Sequence, residues 1–280
     1  MVERRGRVEG KVAIVTGAGS TPGPGVGTGK ATAIVLAREG AALLLADVHP
    51  ERAEETQHVI EREGGTATVF AGDMTKAPDC EAMVRAAVHA FGTVDILVNN
   101  LGAAIYGNAI NTSEVDWDWV LDISLRAAFL SSKYTLPVME KKRSGAIVNI
   151  GSISGWRGTG YLGYSAAKGG IHAMTVDMAY SHGRQGIRVN AVVPGHITTP
   201  LLYSVLGETP QAEFRRQLAA TSNLLGAEGT AWDVAFAAAF LAGDEARWIT
   251  GVTLAVDGGV TSVTPLSMAQ HVREVAEPTT

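Results

Sequence analysis

Tyr164 and Lys168 stand four residues apart in GYSAAKGG, and Ser152 lies twelve residues before Tyr164 in NIGSISG. In a helix, residues i and i+4 share a face, so a phenol and an ammonium at this spacing can meet in one pocket. A phenol ordinarily loses its proton at about pH 10, and an adjacent cation favours the phenolate and moves that value toward the working range. Tyr164 is therefore a candidate general acid or base. Ser152, arriving from the end of a separate apolar run, is placed to hydrogen-bond the same carbonyl or hydroxyl oxygen. The chemistry implied is interconversion of an alcohol and a ketone. The Tyr-x-x-x-Lys spacing also arises on exposed helix faces, so its weight comes from what precedes it.

What precedes it is TGAGSTPGPGVGTGKATA, which follows a short apolar run and opens a helical pattern. There a dinucleotide's pyrophosphate meets unpaired backbone N–H groups and the positive helix end. Several glycine registers fit. We choose Gly17, Gly27 and Gly29, with Ser20 closing the first part of the turn, because Lys30 begins the helical pattern. Residues 21–26 then form an insert; Pro22 and Pro24 have no N–H to offer a phosphate, so the insert is expected to bulge away from it. Asp47 ends the next strand, where a carboxylate accepts hydrogen bonds from ribose hydroxyls and repels a 2′-phosphate. Val48 brings no compensating cation, so NAD is favoured over NADP.

The elements that must position these groups alternate strand and helix. Strands are expected at residues 12–16, 43–47, 68–72, 96–99, 146–150, 187–193 and 252–256, and helices at 30–39, 51–63, around 83–91, from a Ser113 N-cap toward Pro137, and at 164–181. Short β-rich runs between longer helical ones argue for an α/β fold, one doubly wound Rossmann-type domain over 1–280 with a seven-stranded parallel sheet and helices on both faces. Its core is expected at about 10–259, a flap at 195–229, and a C-terminal extension at 260–280.

With 46% hydrophobic and 18% charged residues, the 280-residue chain can bury a substantial core. Its net charge is −5 and its basic residues form no stripe, which argues against nucleic acid and anionic membrane as partners. Cys80 is the only cysteine, the N-terminal stretch lacks a secretory apolar region, and no long uncharged apolar stretch occurs. A cytoplasmic location is the expectation. The seven histidines show no metal-ligand spacing, so no metal is expected.

Taken together, the Gly-rich turn, Asp73, the NNLG run at residues 99–102, Ser152, Tyr164 with Lys168, the RVNAVVPG run at 188–195, Ile197, Thr199 and DGG at 257–259 resemble the short-chain dehydrogenase/reductase family. The resemblance covers about residues 10–259. It implies that Asp73 and Met74 contact adenine, and that Asn100 and Gly102 wall the adenine ribose. It further implies that Pro194, Gly195, Ile197 and Thr199 hold the nicotinamide, while Tyr164 is the acid/base and Ser152 the donor to the substrate oxygen. Lys168 would lower the tyrosine's pKa and bind the nicotinamide ribose, and a homodimer or homotetramer is implied. Three departures stand out: Ser124, grouped with the catalytic residues at the proton-relay position, replaces the family's usual Asn in the long helix, Leu101 replaces the commoner Ala, and the insert lengthens the Gly-rich turn.

Ser154, Trp156, Tyr161, His196 and Tyr203 are further candidates for the substrate pocket, packing being the competing role for the aromatic residues. The expected function is NAD-dependent oxidation of a secondary alcohol, or reduction of the ketone. The alternatives are a nucleotide-sensing binding protein on the same fold with weakened proton transfer, motivated by Ser124 and the unusual turn, and a lyase or epimerase.

Overall fold

The computed structural model describes residues 6–207 and 209–276. Seven strands form one parallel sheet: β1 (Val12–Thr16), β2 (Ala42–Asp47), β3 (Thr66–Ala71), β4 (Ile96–Asn99), β5 (Gly145–Ile150), β6 (Ile187–Pro194) and, after two short strands, β9 (Thr253–Val256). The short strands are β7 (Ile197–Thr198) and β8 (Gly229–Thr230), which pair with each other. The main sheet has the order β3-β2-β1-β4-β5-β6-β9. Its central strands are buried along their length, as continuous Val/Ile/Leu/Ala runs require when helices cover both faces.

The helices are α1 (Thr28–Arg38), α2 (Pro50–Arg62), α3 (Ala77–Phe91), α4 (Glu114–Leu121), α5 (Ala127–Lys142), α6 (Leu162–His182), α7 (Pro200–Leu206), α8 (Pro210–Thr221), α9 (Ala231–Ala242) and α10 (Pro265–Ala276). Two separate cores lie on the two sides of the sheet. One joins Val15, Leu45 and Val148 to α1 and α9; the other joins Ile14, Leu44 and Ile147 to α3 and α5. Strand order reverses between β1 and β4, which opens a crevice at the carboxyl ends of these strands, where α/β folds take their ligands.

Three elements differ from expectation. The helix begun at Ser113, whose hydroxyl accepts from Asp116 N, does not end near Pro137. It passes through a π-helical segment at residues 122–126 and continues through Pro137 to Lys142. Burial of Leu130, Leu136 and Met139 offsets the one hydrogen bond that the proline lacks. Residues 195–229, expected to form a flap and loop-rich by sequence, carry the helices α7 and α8. In the extension, residues 265–276 form α10, which packs against α8, and residues 277–280 lie outside the described part.

Beneath the crevice a buried polar chain fixes α5 and α6 to the sheet. Asn99 Nδ2 donates to Asn149 Oδ1 at 2.8 Å and to Ser132 Oγ at 3.0 Å, and Asn149 Nδ2 donates to Thr175 Oγ1 at 2.9 Å. Such a network allows few alternative packings, because each displaced member would leave a buried polar group without a partner.

Candidate active site and nucleotide cleft

Ser152 follows β5 and caps a short turn, its Oγ accepting from Ser154 N at 3.1 Å. That turn lies directly on α6: a Cβ built on Gly155 would stand 2.8 Å from the Gly169 nitrogen, so only glycine permits the approach. Close packing here brings Ser152 toward Tyr164, twelve residues further along the chain. The Ser152 hydroxyl lies close enough to the Tyr164 phenol to favour its ionised form, and Lys168 Nζ lies 5.6 Å from the Tyr164 ring centroid. Lys168 is 2% exposed, and its ammonium donates to Ile150 O at 2.7 Å and Leu101 O at 3.2 Å.

Burial dominates the electrostatics of both groups. Burial pushes the Tyr164 phenol up from its ordinary value, and the nearby Ser152 hydroxyl offsets this only in part. Burial also brings Lys168 down to about 7. The lysine, turned toward two carbonyl oxygens, does not by itself make the phenol acidic in this structure. Loss of the phenolic proton therefore depends on donors gathered around its oxygen, of which Ser152 is one.

Ser124 is buried in the π-helical segment, and its hydroxyl accepts from Ala103 N at 3.0 Å and donates to Ala103 O at 3.3 Å. It fixes the loop after β4, and no hydrogen bond among the described residues joins it directly to Lys168. On the same loop, a Cβ on Gly102 would stand 3.3 Å from Lys168 Nζ and 3.6 Å from the Tyr164 ring, which places Gly102 at the acid/base end of the cleft. Leu101 finds room over Gly17: a Cβ there would meet Leu101 Cδ2 at 2.7 Å.

At the other end of the cleft, a Cβ on Gly29 would stand 1.9 Å from Gly17 O, so the first turn of α1 rests on the Gly-rich turn. Helix α1 has neither a side-chain cap nor an acidic residue in its first turn, which leaves N–H groups and the positive helix end for an anion. Ser20 Oγ accepts from Gly27 N at 3.0 Å. Asp47 Oδ2 accepts from Gly19 N at 2.9 Å, turning the carboxylate toward the same turn. Asn100 Nδ2 donates to Gly17 O at 3.0 Å, so its amide ties two loops together. Asp73 accepts from the backbone and hydroxyl of Thr75, and Met74 is buried. After β6, Gly195 leaves no space for a side chain beside Asp257, Ile197 pairs with Gly229, and Thr199 Oγ1 caps α7. This donor set and glycine cradle fit a dinucleotide.

The remaining candidates divide. Ser154 Oγ accepts from Thr159 Oγ1 at 2.9 Å next to Ser152. Trp156 packs on His172, ring centroids 5.0 Å apart, and Tyr161 meets Tyr106 edge-on at 5.6 Å. Tyr203 lies half-buried on α7. His196, its pKa lowered by burial against the pull of Asp257, lines a cavity of about 540 Å³ with Leu224 and Asp257; Ser152, Tyr164 and Lys168 do not line it.

Three residues had no sequence signal. Tyr106 is a lone aromatic after NNLG. His172, held neutral at about 4 by burial and by Lys168, lies one helical turn beyond that lysine. Arg52 lies beside the Gly-rich turn, where a Cβ on Gly19 would meet its Cβ at 2.5 Å and Asp47 Oδ2 at 2.9 Å. No group of three or more metal-ligating side chains occurs among the described residues.

A parallel sheet of this order with Ser, Tyr and Lys gathered at its carboxyl edge defines a Rossmann-type oxidoreductase scaffold. The family model described as enoyl-(acyl carrier protein) reductase matches residues 25–261, and the chain belongs to the short-chain dehydrogenase/reductase family. It is 38% identical over 255 residues to cis-4-hydroxycyclohexanecarboxylate dehydrogenase of Sinomonas cyclohexanicum, covering 90% of this chain and 97% of that one. It is 36% identical over 256 residues to cyclohexanol dehydrogenase of an Acinetobacter species, covering 90% and 95%. Among solved structures, a short-chain dehydrogenase/reductase from Burkholderia xenovorans superposes with a TM-score of 0.89 at 40% identity, covering 92% of this chain and 99% of that one.

Proposed function

We propose that this chain is an NAD-dependent oxidoreductase that interconverts a secondary alcohol and a ketone, with Tyr164 as acid/base. The observation that carries this reading is the convergence of Ser152, Tyr164 and Lys168 within a buried pocket beside Gly102. When bound, the nicotinamide accepts or gives hydride at its C4. In the oxidative direction the Tyr164 oxygen takes the alcohol's proton as the C–H hydrogen leaves with its electron pair. Ser152 donates its one O–H to the phenolate before transfer, which stabilises the form that burial disfavours, and to the substrate oxygen once the proton has passed to Tyr164. Lys168 binds the nicotinamide ribose and keeps positive charge near the phenol. Ser124 acts through Ala103, holding the loop that carries Leu101 O and Gly102.

NAD is favoured by Asp47, whose carboxylate faces the Gly-rich turn. Arg52, whose Cβ lies beside the same turn, is a cation placed to lessen that preference, so discrimination against NADP is moderate rather than absolute.

Ring-bearing secondary alcohols are the proposed substrate class. Two relatives are named for cyclohexane alcohols, and Tyr106 with Tyr161 supplies an aromatic wall three residues before Tyr164. Two exposed apolar faces, one with Phe129, Val176 and Tyr180 on α5 and α6, the other with Leu254 on edge strand β9 and Val252 just before it, support a homotetramer over a homodimer. Cys80 is free and buried, which suits a reducing, cytoplasmic compartment; no helix among the described residues is long and apolar enough to cross a membrane.

The test is NADH formation with a panel of cyclic and aromatic secondary alcohols. Turnover of at least one supports the reading. Tight NAD binding without turnover of any alcohol, or reduction of any matching ketone, would instead favour a nucleotide-sensing protein.

A further inference from the structure

The insert at residues 21–26 does more than bulge. Its ends meet: Ser20 Oγ accepts from Gly27 N, and a Cβ on Gly27 would stand 3.3 Å from Ser20 Cα. The segment between is therefore a closed loop on a narrow neck, stiffened by Pro22 and Pro24. Its tip reaches the segment after β7. A Cβ on Gly25 would stand 3.3 Å from Thr198 O, and one on Gly23 would stand 3.5 Å from Pro200 Cβ. The loop leaves the end of β1 and lands beyond the end of β6, with β4 and β5 lying between these strands in the sheet. Three strand spacings amount to about 14 Å. The crevice between β1 and β4 lies within that span.

Thr198 is itself anchored, paired with Thr230 in the β7/β8 ladder and hydrogen-bonded to Glu228. The loop thus lands on a fixed support rather than on the free part of the flap.

We propose that residues 21–26, closed against residues 198–200, form a clasp over the pyrophosphate of a bound dinucleotide and make this protein slow to exchange its cofactor. The proposal rests on the nicotinamide-cofactor reading above. The Gly-rich turn binds the phosphates from beneath, while the clasp covers them from the solvent side. Its contribution is mainly steric: Pro22 and Pro24 offer no N–H donors, which leaves only Thr21, Gly23, Gly25 and Val26 with one. Release requires the loop tip to part from Thr198 and Pro200, so the clasp acts on dissociation more than on association.

The neck geometry supplies the test. Deleting residues 21–26 joins Ser20 directly to Gly27 and leaves TGAGSGTG, with Gly17, Gly27 and Gly29 in their original roles. NADH is bound to the wild type and to the deletion variant, and its release into excess NAD is followed by stopped-flow fluorescence, alongside circular dichroism and melting curves. The expected result is release about tenfold faster from the deletion variant, with association changed less. Release rates within twofold of each other would overturn the clasp. Should the deletion variant not fold, the full-length variant Pro22→Gly/Pro24→Gly takes its place: release at least twofold faster supports the clasp, and an unchanged rate overturns it. Failure of the wild type to bind either NADH or NADPH would instead refute the cofactor reading itself, a distinct outcome.

Discussion

The Lys168 ammonium donates to the backbone carbonyl of Ile150 across 2.7 Å, two residues before Ser152. One bond thereby locks the helix carrying the phenol to the strand end carrying the serine. The second acceptor, Leu101 O, adds the loop after β4. A buried ammonium with two carbonyl partners is costly to form but leaves the surrounding backbone little freedom. Lys168 is thus structural as well as electrostatic, and its titration must appear in stability as well as in activity.

Burial brings Lys168 from 10.5 to about 7. Between those values the unfolded chain binds more protons than the folded one, so stability rises with pH across that window; the cost is fully present below about 7. Lys168→Met removes this titration. The melting temperature of the wild type minus that of Lys168→Met is expected to increase between about pH 7 and about pH 10. A difference that stays flat or falls would show that the lysine is not held at a depressed value.

On the proposed cofactor reading, Asp47 and Arg52 oppose each other in cofactor choice. Asp47→Ser removes the repulsion toward a 2′-phosphate and leaves Arg52 to bind it. The ratio of kcat/KM with NADP to that with NAD should rise by about 100-fold, the combined scale of a lost repulsion and a gained charge-assisted bond. An unchanged ratio would remove both residues from the ribose site.

Ser124 serves two backbone groups of Ala103, a residue that is itself buried. Ser124→Ala leaves both without that partner and is expected to cost about 2 kcal/mol of stability, read from urea unfolding. Activity should fall through kcat more than through KM for the alcohol, and Ser124→Thr should restore part of both. Loss of activity without loss of stability would argue for a direct part in proton transfer.

The strands were legible because a strand buried on both faces has few ways to be written: ILVN at β4 is an apolar run with nowhere to go but the middle of a sheet. The end of α5 was not legible, since Pro137 signals a stop of about 3 kcal/mol in a helix interior and only tertiary burial of residues around it outweighs that. The trio Ser152, Tyr164 and Lys168 was readable from spacing and order along the chain. Tyr164's environment was not, because it depends on which way Lys168 turns, and the lysine finds carbonyl partners in β5 and the β4 loop. Arg52 beside Gly19, Tyr106 on Tyr161 and the insert against Thr198 are likewise contacts between distant segments, for which sequence carries no local sign.

The most direct test of the account is Tyr164→Phe, which removes one oxygen from the pocket and changes little else. Alcohol-dependent NADH formation should fall by a factor of about 10² to 10⁴, while NADH binding, followed by fluorescence titration, stays within threefold of the wild type. Turnover near the wild-type rate in a folded, cofactor-binding Tyr164→Phe protein would contradict the assignment of proton transfer to this phenol.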